Sequence, residues 1–214
     1  MAHGHQTSPW LSVWVSPRKT VRGLIGSSDS PEFWLLCGLF GLPQYFEYAR
    51  SFGGGLLLEQ VLFKALFVGP LIGWLQVVFL SWLFGCSGRC LGGQATPRAV
   101  RCAVSWATLP IGSLSLGWAL LIARFGPNLF DGSMMQIAVN SAGVALTFKV
   151  ALVTTVLMIL WSMILLINTL SVAHQFSVQR AVAAVALGLG ACSVPLFIFA
   201  LAISLVGMPA PRSH

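Results

Sequence analysis

Residues 86–110 read C-S-G-R-C-L-G-G-Q-A-T-P-R-A-V-R-C-A-V-S-W-A-T-L-P, and they interrupt two long apolar runs. The stretch carries Arg89, Arg98 and Arg101 with no acid among them. Leu91-Gly92-Gly93 closes the run before it, because glycine readily ends a helix. Thr96-Pro97 opens the next one: a threonine cap followed by proline at the first helical position is a helix start. A short basic loop between two greasy helices reads as a cytoplasmic connection within a membrane bundle.

The whole chain agrees with that reading. Of 214 residues, 57% are hydrophobic and 8% are charged, whereas a soluble domain carries about 25% charged residues. The mean hydropathy is +0.85. The net charge of +7 rests on twelve Lys and Arg against five acids, which suits an anionic leaflet. The basic residues are scattered between apolar runs, so nucleic acid is not an expected partner. The fold class expected is all-α: a polytopic integral membrane protein with five transmembrane helices preceded by an interfacial amphipathic helix.

Outward from the basic loop, the same start signal recurs. Ser16-Pro17 opens a segment with Val21, Leu24 and Ile25 on one face and Arg18, Lys19 and Arg22 on the other. With Trp10 and Trp14 ahead, residues 10–26 read as the interfacial helix. Ser30-Pro31 opens a first span, about 33–49, in which Pro43 predicts a kink or break. The second span, about 62–85, holds Gly69-Pro70-Leu71-Ile72-Gly73, a spacing that permits close helix contact. The third, about 103–125, contains Pro110. The fourth and fifth run about 147–170 and 178–206, joined by a turn around His174. A polar disordered tail is expected over 1–9, a single membrane domain over 10–208, and a second tail over 209–214. Residues 128–146, with Asp131, Gln136 and Asn140, read as an outer loop with a short helix or as an extension of the fourth span.

Orientation follows the Lys and Arg bias. Arg18, Lys19, Arg22, Arg89, Arg98, Arg101 and Arg180 fall on one side, and Arg50, Lys64, Arg124, Lys149 and Arg212 on the other. The expectation is a multi-pass protein of the cell membrane, amino terminus cytoplasmic and carboxyl terminus exoplasmic.

Trp10 and Trp14 ahead of Pro17-Arg18-Lys19-Thr20, then Leu91-Gly92-Gly93, then Pro110 within the next span, then His174-Gln175-Phe176-Ser177 with Arg180-Ala181, come in an order that resembles the YIP-domain family. These are the Ypt/Rab-interacting proteins and their bacterial relatives. The likeness covers most of residues 10–206. It implies a five-helix membrane domain that organises membranes or partner proteins. The long polar cytosolic arm of eukaryotic members is missing here, so Rab binding is not carried over.

No catalytic motif emerges. The chain has no G-x-S-x-G, no phosphate loop and no H-E-x-x-H. Cys86, Cys90 and Cys102 lack a nearby His or carboxylate to complete a four-ligand site, so neither a metal nor another cofactor is expected. Two sets of residues stand out. Glu47, Glu59, Lys64 and Lys149, with Gln44, Gln60 and Asn140, form either an outward polar vestibule for an ion or small solute, or a ring of snorkelling interface residues. Arg18, Lys19, Arg22, Arg98 and Arg101 are candidate contacts for anionic lipid headgroups. His174 could exchange a proton near neutral pH, or simply cap a helix. The function expected is non-enzymatic membrane organisation, with a small oligomeric channel or transporter as the alternative. The expected partners are the bilayer and either a second copy or another membrane protein.

Overall fold

A computed structural model describes residues 8–25, 31–52, 57–130 and 141–206. The described residues contain helices and no strand. In order they are α1 (Pro9–Val15), α2 (Pro17–Leu24), α3 (Pro31–Phe52), α4 (Leu58–Cys90), α5 (Pro97–Ala107), α6 (Leu109–Phe125), a 3-10 turn (Gly126–Leu129), α7 (Ala142–Ala173) and α8 (Val178–Val206). Apart from residues 8 and 9, the expected tails lie outside the described residues, as do Asp131, Gln136 and Asn140.

The proline starts fall where the sequence places them, at Pro17, Pro31 and Pro97. At the third, Thr96 Oγ1 accepts the Ala99 N–H at 3.2 Å. A fourth such start, Ser8-Pro9, opens α1. The single amphipathic helix expected over 10–26 is therefore two short ones, broken at Ser16 before the Pro17 ring. Thr20 Oγ1 donates to Ser12 Oγ at 2.9 Å and ties them together. Val13 and Val21 are fully buried, and Trp10 meets Trp106 edge-on at 5.2 Å. This arm packs against α5 and α7, so its apolar face is covered by the bundle itself.

Among the described residues three helices are long and apolar enough to cross a membrane: Leu58–Cys90, the nearly continuous Pro97–Leu129, and Ala142–Ala173. Helices also stand at the first and last expected spans. Of these, α3 carries Glu32, Gln44, Glu47 and Arg50, and α8 has an apolar stretch over Val178–Ala191 within its longer length. Large apolar side chains stay exposed along α4 and α7, among them Phe63, Phe67, Leu71, Leu152 and Leu157. Bare apolar faces of that extent suit hydrocarbon rather than water.

The prolines act locally. Helix α3 runs unbroken through Pro43, so of the kink or break expected there the break does not occur. Proline removes the N–H that would reach the carbonyl four residues back. That carbonyl, on Leu39, instead accepts Ser115 Oγ from α6 at 3.1 Å. The third span is divided at Thr108, two residues before Pro110, between α5 and α6. There α7 supplies hydroxyls: Ser162 Oγ donates to the Ala107 carbonyl at 2.6 Å, and Thr169 Oγ1 to the Ala103 carbonyl at 3.1 Å.

The closest helix contact joins α3 and α4. A Cβ on Gly41 would overlap the Gly69 carbonyl oxygen, and one on Gly73 would overlap the Cys37 carbonyl oxygen. The glycine spacing around Pro70 is thus a backbone-to-backbone crossing, as small residues permit in membranes.

Candidate functional site

The basic loop and the His174 turn meet at one end of the bundle. Helix α4 runs through Cys90, so the first five residues of the basic stretch are helical and the connection is short. It ends in a paired hydrogen-bond pattern: Gly93 N–H donates to the Gly88 carbonyl at 2.9 Å, and Gly92 N–H to the Arg89 carbonyl at 3.0 Å. Gly92 has φ +82°. This is the Schellman stop, whose left-handed residue is normally glycine.

Helix α7 ends in the same way beside it. Phe176 N–H donates to the Ser171 carbonyl at 3.2 Å, and Gln175 N–H to the Val172 carbonyl at 3.3 Å. Here the left-handed residue is Gln175, at φ +58°. A side chain in that conformation costs about 1–2 kcal/mol relative to glycine. The two stops are bridged by Gln94 N–H, which donates to the His174 carbonyl at 3.4 Å.

The His174 ring lies between them. It is 2% exposed and stacks on Phe176 with centroids 5.1 Å apart. A Cβ added at Gly88 or at Gly93 would overlap the ring. The two glycines therefore form a seat that only a backbone can line. Among the described residues neither ring nitrogen makes a hydrogen bond of good geometry, although the Phe84 backbone carbonyl lies close enough to act on the ring. Burial holds the imidazole pKa below its ordinary value, the Phe84 carbonyl opposes that shift, and the Arg89 charge adds to it. His174 is thus a neutral, buried hub joining α4, the basic loop and α7.

Beside this hub is a cavity of about 520 Å³, lined by Arg18, Arg22, Ile25, Ser171, Gln175 and Phe176 among others. Arg18 and Arg22 are one turn apart on α2, and neither has an acidic partner among the described residues. Lys19, Arg98 and Arg180 are exposed, and Arg101 is partly so. Pro17 starts α2, Leu91 caps α4 and Pro110 sits in the first turn of α6. The expected lipid-contact residues therefore divide: Arg18 and Arg22 share a concave site, which Lys19, Arg98 and Arg101 do not line.

The expected vestibule is not gathered in this way. Glu47 pairs with Arg50 on its own helix, and its carboxylate also accepts Ser51 Oγ at 3.3 Å. It does not reach Lys64 or Lys149 across helices. Glu59, Lys64 and Lys149 are exposed, and no ion pair joins them among the described residues. Gln44 is drawn elsewhere: its Nε2 donates to the Phe40 carbonyl at 3.0 Å, and its Oε1 accepts Gln76 Nε2 at 2.6 Å from α4. No group of three His, Cys, Asp or Glu able to hold a metal occurs among the described residues.

Gly88 and Gln76 carry no mark in the sequence, and Gln175 stands out only as part of the His174–Ser177 turn. Gly93 closes the basic loop in sequence, but the ring that it accommodates with Gly88 lies far along the chain, at position 174. The strained backbone at Gln175 leaves no trace in sequence.

Comparison of the chain with protein-family models, curated proteins and solved structures finds no match in any of the three.

Proposed function

We propose that this is a non-enzymatic, five-span protein of the cell membrane, of the YIP type, that organises the bilayer or partner proteins through its basic end. The supporting observation is the joining of the α4 and α7 ends through His174, which fixes a rigid cationic surface beside the arm. In this reading α3 and α8 also cross the membrane, the basic end faces the cytoplasm, and the carboxyl terminus is exoplasmic. The apolar faces of α4 and α7 contact lipid, a second copy or another membrane protein. The dispersal of Glu47, Glu59, Lys64 and Lys149 weighs against a channel mouth.

The test is reconstitution into bilayers containing labelled acidic phospholipid. The protein should slow diffusion of the acidic lipid more than that of a zwitterionic one. It should leave vesicles no leakier to Na⁺, K⁺, Cl⁻ or small neutral solutes than lipid alone. Selective flux above that background would favour the channel reading; unaltered diffusion of both lipids would remove the organising one.

A further inference from the structure

We infer that the cavity between α2 and the α7–α8 turn is a binding site for a phosphate-bearing anion, and that in the membrane its occupant is the headgroup of an acidic phospholipid. The inference deepens the proposed function and rests on it only for placing this end at a membrane surface.

The charge balance comes first. Arg18 and Arg22 bring two guanidinium groups to one wall of the cavity. The opposing wall is the carbonyl end of α7, worth about half a negative charge. Its terminal carbonyls at Ser171 and Val172 are already engaged by Phe176 and Gln175 N–H groups. The site therefore keeps a net positive charge of more than one unit. Guanidinium matches phosphate through paired N–H donors.

Hydrogen-bond capacity rests on the two arginines and Gln175. Ser171 Oγ donates to the Asn168 carbonyl at 2.8 Å, so it has no proton to offer an anion. Gln175, exposed at the rim, offers a free amide as the third donor. It is also the residue held at φ +58°, where glycine would be easier. Backbone strain of this kind tends to be retained where a side chain is needed. The strain and the charged cavity are independent observations that meet at one place.

Shape supplies the choice of occupant. Ile25 and Phe176 make part of the wall apolar, and the volume is within the range for small-ligand sites. A phosphate joined to a glycerol and acyl stem would use both the cationic and the apolar sides. The arm that carries Arg18 and Arg22 also leaves Leu11 and Val15 exposed, apolar side chains suited to the interfacial level of a bilayer.

The experiment is titration calorimetry of the full chain in non-ionic detergent. The probes are phosphatidylglycerol, phosphatidylcholine, glycerol phosphate and inorganic phosphate. Phosphatidylglycerol should bind saturably and more tightly than phosphatidylcholine. Arg18→Gln and Arg22→Gln should each weaken it about fivefold. Arg124→Gln removes the same charge at the other end of the bundle and should leave binding unchanged. Gln175→Gly should weaken binding while keeping or raising the melting temperature, an outcome a purely structural glutamine would not give.

Equal binding of phosphatidylglycerol and phosphatidylcholine would overturn the inference, as would insensitivity to both Arg18→Gln and Arg22→Gln. Tight inorganic phosphate or glycerol phosphate binding without added affinity for the lipid would keep the phosphate site and overturn the lipid source. Loss of the pocket effect with acidic-lipid slowing retained would sink this site alone. Saturable, arginine-dependent binding without any slowing of lipid diffusion would sink the organising function and leave the site standing.

Discussion

Two places in this molecule depend on missing side chains, and they do so for opposite ends. Where α3 crosses α4, Gly41, Gly69 and Gly73 let one backbone touch another. At the basic end, Gly88 and Gly93 make room for a ring. The first contact is backbone against backbone, and no rotation of a side chain can relieve an intruding atom. The second surrounds a polar ring, which is a side chain and can turn where a backbone cannot. The crossing is a device for stability, whereas the ring seat ties two helix ends together around a buried polar ring.

Breaking the crossing should have the largest effect. Gly41→Leu or Gly73→Val drives a side chain into the opposing backbone. We expect losses above ~3 kcal/mol, or no folded protein at all, by denaturant unfolding in mixed micelles. Gly117→Val, at a glycine with open space around it, should change stability little and shows that helix glycines as such are not the cause.

Breaking the seat should cost less. Gly88→Ala forces the His174 ring aside, for about 1–3 kcal/mol. The same change in a His174→Ala background should cost clearly less, because the obstacle is gone. A double-mutant cycle reads that coupling directly; additive losses would mean that the ring and the glycine do not meet.

The polar character of the seat gives a pH dependence. Unfolded, an imidazole takes a proton near pH ~6.5. Folded, His174 resists it, because burial lowers its pKa. The folded state therefore binds fewer protons in that range, and stability falls as the pH drops below about 6.5, by at most ~1.4 kcal/mol per pH unit. His174→Phe keeps a flat ring between the glycines and should flatten this dependence in thermal melts. An unchanged pH profile in the variant would assign the effect to other groups.

The smallest change tests the link between the two regions. Ser162→Ala and Thr169→Val each remove a hydroxyl that α7 donates to an α5 carbonyl. Interhelical hydrogen bonds in membranes average ~0.6 kcal/mol. Losses of that order in unfolding experiments would rank them below both glycine sites.

Most of the fold was legible because helix starts are local. Pro17, Pro31 and Pro97 announce themselves through their own ring and the preceding cap. The Gly69–Gly73 spacing was visible, but its partner Gly41 was not, since the pairing is set by how two helices cross. Whether Pro43 breaks its helix was hidden for a similar reason: it depends on whether a distant donor, here Ser115, reaches the Leu39 carbonyl. The polar residues near the outer end were visible as a set, yet Glu47 turned to Arg50 and Gln44 to Gln76. Sequence marked Arg18 and Arg22 as basic; only folding brings Gln175 and Phe176 opposite them.

The central claim is a membrane bundle whose arm, α4–α5 loop and α7–α8 turn share one side. Single cysteines test it in a chain whose five native cysteines have been replaced. Ser16→Cys, Gln94→Cys, Ser51→Cys and Asn128→Cys all lie at exposed positions outside the apolar stretches. In sealed vesicles with a membrane-impermeant thiol reagent, Ser16→Cys and Gln94→Cys should label from one side, and Ser51→Cys and Asn128→Cys only from the other. Labelling of Ser51→Cys from the same side as Gln94→Cys would contradict the account.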